Sequence, residues 1–435
     1  MRCLAELEES QWWPRERIEE LQSERLQCLI KYAYDNVPYY RRVMIEHGLA
    51  PSSIRSSEDL SSLPILTKET VRTRHEELLA EGFPSSELRL VTTSGSTGTP
   101  LTFYGTRDDQ VNRGVARVLR DFAWAGLQMG DAQAHVGRIH EYYEGRGRLL
   151  RSIGRHARRM TQVSAHELTV DALPAIVSRL TRAHPDGLTG YPSCLALIAS
   201  FIEQSDSQRL NVKSVLSGGE QLTDRDRQVM ARVFGSEPHS LYSTSEVFNI
   251  ASECMAHSGL HIAAEDVVVE VIDDSGMTVK PGHQGRIIVT NLHNYGMPFI
   301  RYDIGDTGAL LDEACPCGRG LPRLSGLLGR SNTHLYTRDG QRISPGTLYL
   351  DRLATLPVMQ YQIVQEDLDS VTMNLVLSTT HSPEELAALR AKVYDMFAGH
   401  FGESIRLEIQ FKDRITPGAT GKHTFVFSKL DPSIQ

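Results

Sequence analysis

Two short apolar runs, at 88–91 and 101–104, are joined by Thr92-Thr93-Ser94-Gly95-Ser96-Thr97-Gly98-Thr99-Pro100, a stretch with six hydroxyls and two glycines. Glycine lets a main chain approach a ligand closely, so such a loop can wrap phosphates in hydroxyls and backbone N–H groups. It is not a Walker loop: no lysine follows the glycines, and what comes next reads as a strand rather than a helix. A plain Gly/Ser linker is the alternative, but linkers seldom sit between two core strands with a proline stiffening the exit. The candidate phosphate-binding residues are therefore Ser94, Gly95, Ser96, Thr97, Gly98 and Thr99.

The surrounding chain sets the fold class. Apolar residues Ile18, Leu21, Leu26, Leu29, Ile30 and Ala33 recur at helical intervals over 16–37, and Pro38 stops the pattern. Thr67 is placed to cap a further helix running through Leu79. From 88 to 217, short apolar runs (among them 187–191 and 214–217) alternate with amphipathic stretches such as 111–124, which points to α/β layers. Residues 266–311 change texture: Val267-Val268-Val269-Glu270-Val271-Ile272, a turn at 273–276, then Arg286-Ile287-Ile288-Val289 read as antiparallel strands. Beyond Arg330 come strand-rich residues 358–378, a helix from Pro383 to about 397 capped by Ser382, and a strand at 405–411. At 435 residues the chain is too long for one core, and the expected division is 1–331 and a small α+β domain at 332–435.

Charge and composition exclude several classes. Lys plus Arg total 46 against 54 acidic residues, a net charge of -8, so no global basic field would hold nucleic acid. The basic run Arg146, Arg148, Arg151, Arg155, Arg158 and Arg159 reads as a solvated face or an anion-attracting rim. No stretch approaches a membrane span and the N-terminus has no secretory apolar region, so a cytoplasmic protein is expected. Six cysteines are too few for a disulfide scaffold, which leaves free thiols or metal ligands.

Further motifs follow in order: Ser217-Gly218-Gly219-Glu220, Leu241-Tyr242-Ser243-Thr244-Ser245-Glu246, Arg301-Tyr302-Asp303-Ile304-Gly305-Asp306, Gly329-Arg330-Ser331-Asn332 and Thr416-Pro417-Gly418-Ala419-Thr420-Gly421-Lys422. Together with the Ser/Thr/Gly loop and the opening Asn36-Val37-Pro38-Tyr39-Tyr40-Arg41, they make the sequence resemble the adenylate-forming superfamily of acyl-CoA synthetases, most closely the phenylacetate-CoA ligase group. The resemblance implies a large N-terminal domain of layered sheets with a β-barrel-like region, and a small mobile C-terminal domain. It implies ATP-dependent conversion of a carboxylic acid, aryl or arylacetic by preference, to an acyl-adenylate, then transfer to CoA. An amine or carrier-protein thiol as acceptor, and a non-catalytic nucleotide binder, stay open as alternatives.

By the same resemblance Gly218, Gly219 and Glu220 line the adenine and acyl pockets, Tyr242 stacks on adenine, Ser243 and Thr244 lie beside it, Ser245 contacts phosphate and Glu246 holds Mg. A hard cation takes carboxylate and phosphate oxygens together, which suits Glu246. Asp306 would bind both ribose hydroxyls, since a carboxylate offers two acceptor oxygens; Asp303 has no matching role. Arg330 would reach ribose or phosphate, Asn332 would be the hinge, and Lys422 would bridge the acid and the α-phosphate as a compact cation. Asn332 stands where Asp is commoner, and Arg338-Asp339-Gly340-Gln341-Arg342-Ile343-Ser344-Pro345 departs from the family pattern near the thioester-forming face. His135, Tyr142, Tyr143, Tyr191 and Phe248 are candidates for the acid-pocket wall or for ordinary packing.

Cys315-Pro316-Cys317 and the cluster of Cys254, His257 and His261 supply thiols and imidazoles enough for a closed tetrahedral structural Zn site, or else free thiols and a satisfied histidine. The resemblance favours Cys254, His261, Cys315 and Cys317, with His257 in reserve. The cofactors implied are ATP, Mg, a structural Zn and CoA as co-substrate; the partners are small molecules, with neither nucleic acid nor membrane and with a homodimer left open.

Overall fold

The structure is a computed structural model that describes residues 2–92, 101–137, 159–168, 170–205, 209–330, 335–336, 342–343, 358–377, 381–401, 406–416 and 426–430. The chain builds two compact units. One comprises Met1–Met129 and His239–Leu327, the other Gly130–Pro238 and Leu328–Gln435.

The first unit opens with helices α1 (Arg2–Ser10), α2 (Arg15–Asn36), α3 (Pro38–Glu46) and α4 (Lys68–Thr73). In α2, Ile18, Leu26, Leu29, Ile30 and Ala33 form the buried stripe that their spacing predicts. Pro38 does more than stop it: the ring occupies the first position of α3, where a helix needs no N–H. Thr67 caps α4 by accepting the Thr70 N–H, but α4 ends at Thr73 rather than continuing to Leu79. Tight turns follow, and the chain then crosses so that Ala80 N–H donates to Gly296 O.

Strands β1 (Leu88–Thr92) and β2 (Thr102–Thr106) pair antiparallel on either side of the Ser/Thr/Gly segment. Residues Ser94–Thr99 themselves lie outside the described residues. A π-helical turn, Asp108–Arg113, leads into α5 (Gly114–Trp124). The unit's remaining strands are β7 (Pro238–Thr244), β8 (Phe248–Glu253), β9 (Leu260–Ile262), β10 (Val267–Ile272), β11 (Gly285–Asn291), β12 (Tyr302–Leu311) and β13 (Arg323–Arg330), ordered β10-β11-β12-β13-β9-β8-β7. The β10-β11 and β11-β12 pairs are antiparallel, as the texture of 266–311 leads one to expect, and so are the β13-β9, β9-β8 and β8-β7 pairs outside that stretch.

The second unit holds β3 (Gln133–Gly137), β4 (Met160–Ser164), β5 (Gly187–Gly190) and β6 (Ser214–Gly218) in the order β6-β5-β3-β4, all parallel. Helices α6 (Leu173–Ala183), α7 (Pro192–Gln204) and α8 (Asp224–Phe234) accompany them. Helix α7 is buried from Pro192 to Ser200, which explains its nearly unbroken apolar sequence. The chain leaves β3 for β4 on one side and comes back as β5 on the other, so the carboxyl end of β3 is a topological switch point, where open α/β sheets bind ligands.

The C-terminal part contains β16 (Val358–Asp367), β17 (Ser370–Leu377), α9 (Pro383–Phe401), β18 (Arg406–Phe411) and β19 (Val426–Ser428) in the sheet β18-β17-β16-β19, besides the short pair β14 (Leu335–Tyr336) and β15 (Arg342–Ile343). Its own core includes Val358, Ile363, Met373, Leu389, Val393 and Phe397. Ser382 begins α9 as expected, accepting the Glu385 N–H and donating its own to the Glu385 carboxylate. Among the described residues no helix is long and apolar enough to cross a membrane.

Candidate functional site

The β7-β8 connection carries the first carboxylate. Thr244 Oγ1 accepts the Val247 N–H at 3.1 Å, and Phe248 turns the chain back with φ +69°. This tight turn places Glu246 at its tip, 9% exposed. Phe248, a candidate for the acid pocket or for packing, lies against Gly114 and Arg117: a Cβ added to Gly114 would lie 2.8 Å from its ring, and the Arg117 guanidinium is 6.0 Å from the ring centre.

The start of β12 carries the second carboxylate. Asp303 is a turn residue, accepting the Gly305 N–H on Oδ1 and Arg286 on Oδ2 at 2.8 and 2.7 Å. Gly305 takes φ +85°, and the Lys68 ammonium donates to Ile304 O at 2.9 Å. Arg301 is drawn into the core, donating to Glu270 Oε1 at 3.0 Å and to Leu63 O at 2.6 Å. With this loop fixed, Asp306 Oδ2 accepts the Tyr242 hydroxyl at 2.8 Å. The Tyr302 hydroxyl donates to Glu246 Oε1 at 2.9 Å. The two motifs that supply Tyr242 and Glu246 on one side and Asp306 on the other are thus joined through two phenols in one unit.

In the second unit Gly218 ends β6 and Gly219 turns with φ +83°. The Glu220 carboxylate accepts the Ser193 N–H at the start of α7 at 3.1 Å, where the helix dipole favours an anion. His135 and Tyr191 flank Gly137 at the switch point: a Cβ there would lie 3.3 Å from His135 Nε2 and 3.5 Å from Tyr191 Cδ2. His135 Nδ1 is 3.0 Å from Thr189 Oγ1. Gly190, at φ +155°, admits no side chain, since a Cβ would meet Val136 O at 1.9 Å. Tyr142, Tyr143, Arg146, Arg148, Arg151, Arg155, Arg158, Asn332 and Lys422 lie outside the described residues, and Arg330 is placed only as the last residue of β13.

One ligand atom each from Cys254, His261, Cys315 and Cys317 lies within 4.8 Å of all the others. Cys254 Sγ is 3.8 Å from Cys315 Sγ, and Cys317 Sγ is 3.3 Å from His261 Nε2. A tetrahedral Zn with bonds near ~2.3 Å to sulfur has S–S edges of about 3.8 Å, so the donor set fits a metal in kind and in spacing. His261 Nδ1 faces Leu321 O at 3.4 Å, which turns Nε2 toward the thiols. Burial, against the neighbouring carbonyl, lowers the His261 pKa to about 4, so the ring is neutral as a ligand must be. Burial pushes the Cys254 thiol up to about 12; Cys317 is lowered, because hydrogen bonds from Arg319 and the neighbouring thiols outweigh its burial. His257 is turned elsewhere, 3.3 Å from Glu253 and against the His239 ring.

The knuckle is gripped by the N-terminus. The Arg319 guanidinium lies 4.7 Å from the centres of both the Trp12 and the Trp124 rings and donates to Gln11. Sequence reasoning missed this clamp, as it missed a buried ionic cluster beside it. Arg113 at the end of the π-helical turn and Arg117 and Arg120 of α5 meet Asp109, Glu265 and Asp266 there; Arg117 and Asp266 are each fully buried. Three arginines spaced by one helical turn opposite the tandem Glu265-Asp266 were the available signal.

A family model described as the CapK C-terminal domain matches residues 335–429. Phenylacetate-coenzyme A ligase of Thermus thermophilus is 30% identical over 366 residues, covering 81% of this chain and 79% of that protein. This chain belongs to the phenylacetate-CoA ligase family. A second relative in the family, phenylacetate-coenzyme A ligase of Pseudomonas putida, is 28% identical over 330 residues, covering 73% of this chain and 71% of its own. The adenylate-forming fold is shared with a crystal structure of 2-hydroxyisobutyryl-CoA ligase in the postadenylation state in complex with 2-HIB-AMP. That structure has a TM-score of 0.78 at 21% identity over 98% of this chain and 92% of the other.

Proposed function

We propose that this family member activates an aryl or arylacetic acid with ATP, releasing pyrophosphate, and passes the acyl group from the adenylate to CoA. The chain is an AMP-forming acid–CoA ligase by family, and the observation that supports its catalytic competence is the joined set Tyr242, Glu246, Tyr302 and Asp306. Asp306 is read as the ribose acceptor because a carboxylate has the two acceptor oxygens that a diol requires. Tyr242 presents an aromatic face for adenine. Glu246 Oε2 makes no hydrogen bond to a described residue, so it remains for a hard cation, and Mg bound there would neutralise phosphate charge.

Residues Ser94–Thr99 are assigned to the phosphates, Ser243, Thr244 and Ser245 to the nucleotide site, and Gly218, Gly219 and Glu220 to the adenine and acyl side, where Glu220 acts by holding its loop on α7. Lys422 is assigned to the carboxylate and α-phosphate, where its charge lowers the repulsion between two anions during attack. We divide the chain functionally at 331/332, with Arg330 and Asn332 at the hinge of a mobile C-terminal domain. His135 and Tyr191, the two rings beside Gly137, support an aromatic acid. The Cys254, His261, Cys315 and Cys317 set is read as structural Zn, which with all four positions filled has none left for catalysis. A cytoplasmic setting, where ATP and CoA are supplied, goes with this reading.

The acceptor has a second reading, an amine or carrier-protein thiol in place of CoA, because residues 338–345 depart from the family pattern near the thioester-forming face. Product analysis decides. Purified protein is given ATP, Mg and a panel of aryl, arylacetic and aliphatic acids, with CoA, amines or carrier protein as acceptor. The proposal expects acyl-CoA from an aromatic acid; acyl transfer to amine or carrier alone would replace CoA, and no acyl product of any kind would reject the activity.

A further inference from the structure

The Tyr242–Glu246 and Tyr302–Asp306 segments both place a carboxylate four residues after a tyrosine. Neither tyrosine serves its own carboxylate. The Tyr302 hydroxyl donates to Glu246 at 2.9 Å, and the Tyr242 hydroxyl donates to Asp306 at 2.8 Å, so each segment holds the acid of the other. We propose that Tyr302 is a positioning residue for the Mg-binding carboxylate of Glu246, one arm of a crossed brace that also sets Asp306. The inference rests on the reading of Glu246 as the metal carboxylate and Asp306 as the ribose acceptor.

Several features separate this bond from incidental packing. Tyr302 is fully buried, and its ring stands edge-on to Phe299 with centroids 4.9 Å apart at 87°. The backbone on either side of it is pinned as well: Leu66 N–H donates to Arg301 O and Asp303 N–H donates to Leu66 O, both at 2.9 Å. The phenol is therefore held from behind and in place before any ligand arrives. A phenol donating to a carboxylate is a charge-assisted bond, stronger than a neutral one. It occupies Oε1 and fixes the plane of the carboxylate, while Oε2 keeps its lone pairs for a cation. A glutamate at a turn tip without that bond would have to be ordered by the metal itself, and the ordering entropy would be charged against metal affinity. The same logic holds on the other arm, where Asp306 is ordered before a ribose binds. Because β12 and the segment from β7 into the β7–β8 turn each carry one half of each bond, the metal-side and ribose-side acids share one frame.

The test measures ATP binding by calorimetry with the full chain and no acid present, in EDTA and across a Mg titration, for the native protein, Tyr302→Phe and Glu246→Gln. Phenylalanine keeps the ring against Phe299 and removes only the donor. The expected result is a rise of about tenfold in the Mg concentration that half-saturates the gain in ATP affinity for Tyr302→Phe, the fold-change corresponding to one hydrogen bond to a charged group. Metal-free ATP affinity stays at the native value. Native Mg dependence in Tyr302→Phe beside a weakened Glu246→Gln overturns the positioning role and leaves the metal assignment standing. Native Mg dependence in Glu246→Gln removes that assignment and the inference with it. An equal loss of ATP affinity with and without Mg, or a Tyr302→Phe chain that does not fold, assigns the hydroxyl to general stability and also overturns the proposal. The other arm is read with Tyr242→Phe, which is expected to weaken ATP while leaving 2',3'-dideoxy-ATP unchanged; equal weakening of both nucleotides contradicts the crossed brace.

Discussion

Replacing Asp266 by asparagine removes a charge on which three arginines and a histidine converge. Its side chain is fully buried; Oδ1 lies 2.8 Å from Arg113, 2.9 Å from His293 and 3.4 Å from Arg25, and Oδ2 lies 3.5 Å from Arg117. Burial alone would raise the pKa of such a group. The close approach of His293 and the charges of Arg117 and Arg113 override it and hold the carboxyl well below the usual range. Taking one partner from a buried ion cluster costs about 3–5 kcal/mol, since the cations stay buried without their counter-charge. At ~2–4 °C per kcal/mol for a unit of this size, melting should fall by about 10 °C at neutral pH.

The pH dependence carries a sign that can be checked. A depressed pKa means that the stabilisation is fully present above the unfolded-state value near ~4 and is lost as pH falls toward the folded value. The gap between native and Asp266→Asn proteins should therefore be constant from about pH 7 down to about pH 5 and narrow below about pH 4. Scanning calorimetry across that range reads it directly. A loss under about 1 kcal/mol, or a gap that does not change in acid, would refute the view that this cluster is a load of mutually dependent charges.

Two further outcomes follow from the site. Purified protein should carry about one Zn per chain, and Cys317→Ser should lose it along with the tryptophan fluorescence of the native Trp12–Arg319–Trp124 clamp; metal absent from native protein even after zinc supplementation would remove the Zn assignment. Asp306→Asn keeps an acceptor for Tyr242 but loses the charge facing the ribose, so the apparent KM for ATP should rise by about tenfold to a hundredfold, the range for one hydrogen bond to a charged group. A native KM with only kcat reduced would contradict the ribose role.

Much of the fold is legible in the sequence where periodicity reports burial. Helix α2 and strands β10 and β11 come directly from apolar spacing, and the Thr67 cap follows from its hydroxyl. The end of α4 is not legible, because Arg74 to Leu78 contain nothing that breaks a helix and the turn is set by tertiary contacts such as Tyr39 N–H to Glu77 O. Helix α5 hides more than the amphipathic pattern of 111–124 tells: Arg117 and Arg120 are among the largest fully buried side chains of the described residues. Opposite charges make that burial tolerable: Asp109, 8 residues before Arg117, and Glu265 and Asp266 some 145 residues away.

At the site, short motifs pick out Tyr242, Glu246 and Asp306 because each is defined by residue type within its own segment. Their partners are not legible, since the Tyr302–Glu246 bond joins residues 56 apart in sequence and depends on where β12 lies. The thiol spacing proposes a metal knuckle but leaves two histidines eligible. The conformation of the chain separates them: His257, at φ +45°, faces Glu253, and His261, on β9, faces Cys317.

Acid-dependent exchange of labelled pyrophosphate into ATP, with no acyl acceptor present, tests the central claim most directly, because it reports adenylate formation whatever receives the acyl group. The account predicts exchange with at least one aromatic acid and its loss in Lys422→Ala, while ATP binding by that variant persists. Exchange that survives Lys422→Ala undiminished, or none with any acid of a broad panel, would contradict it.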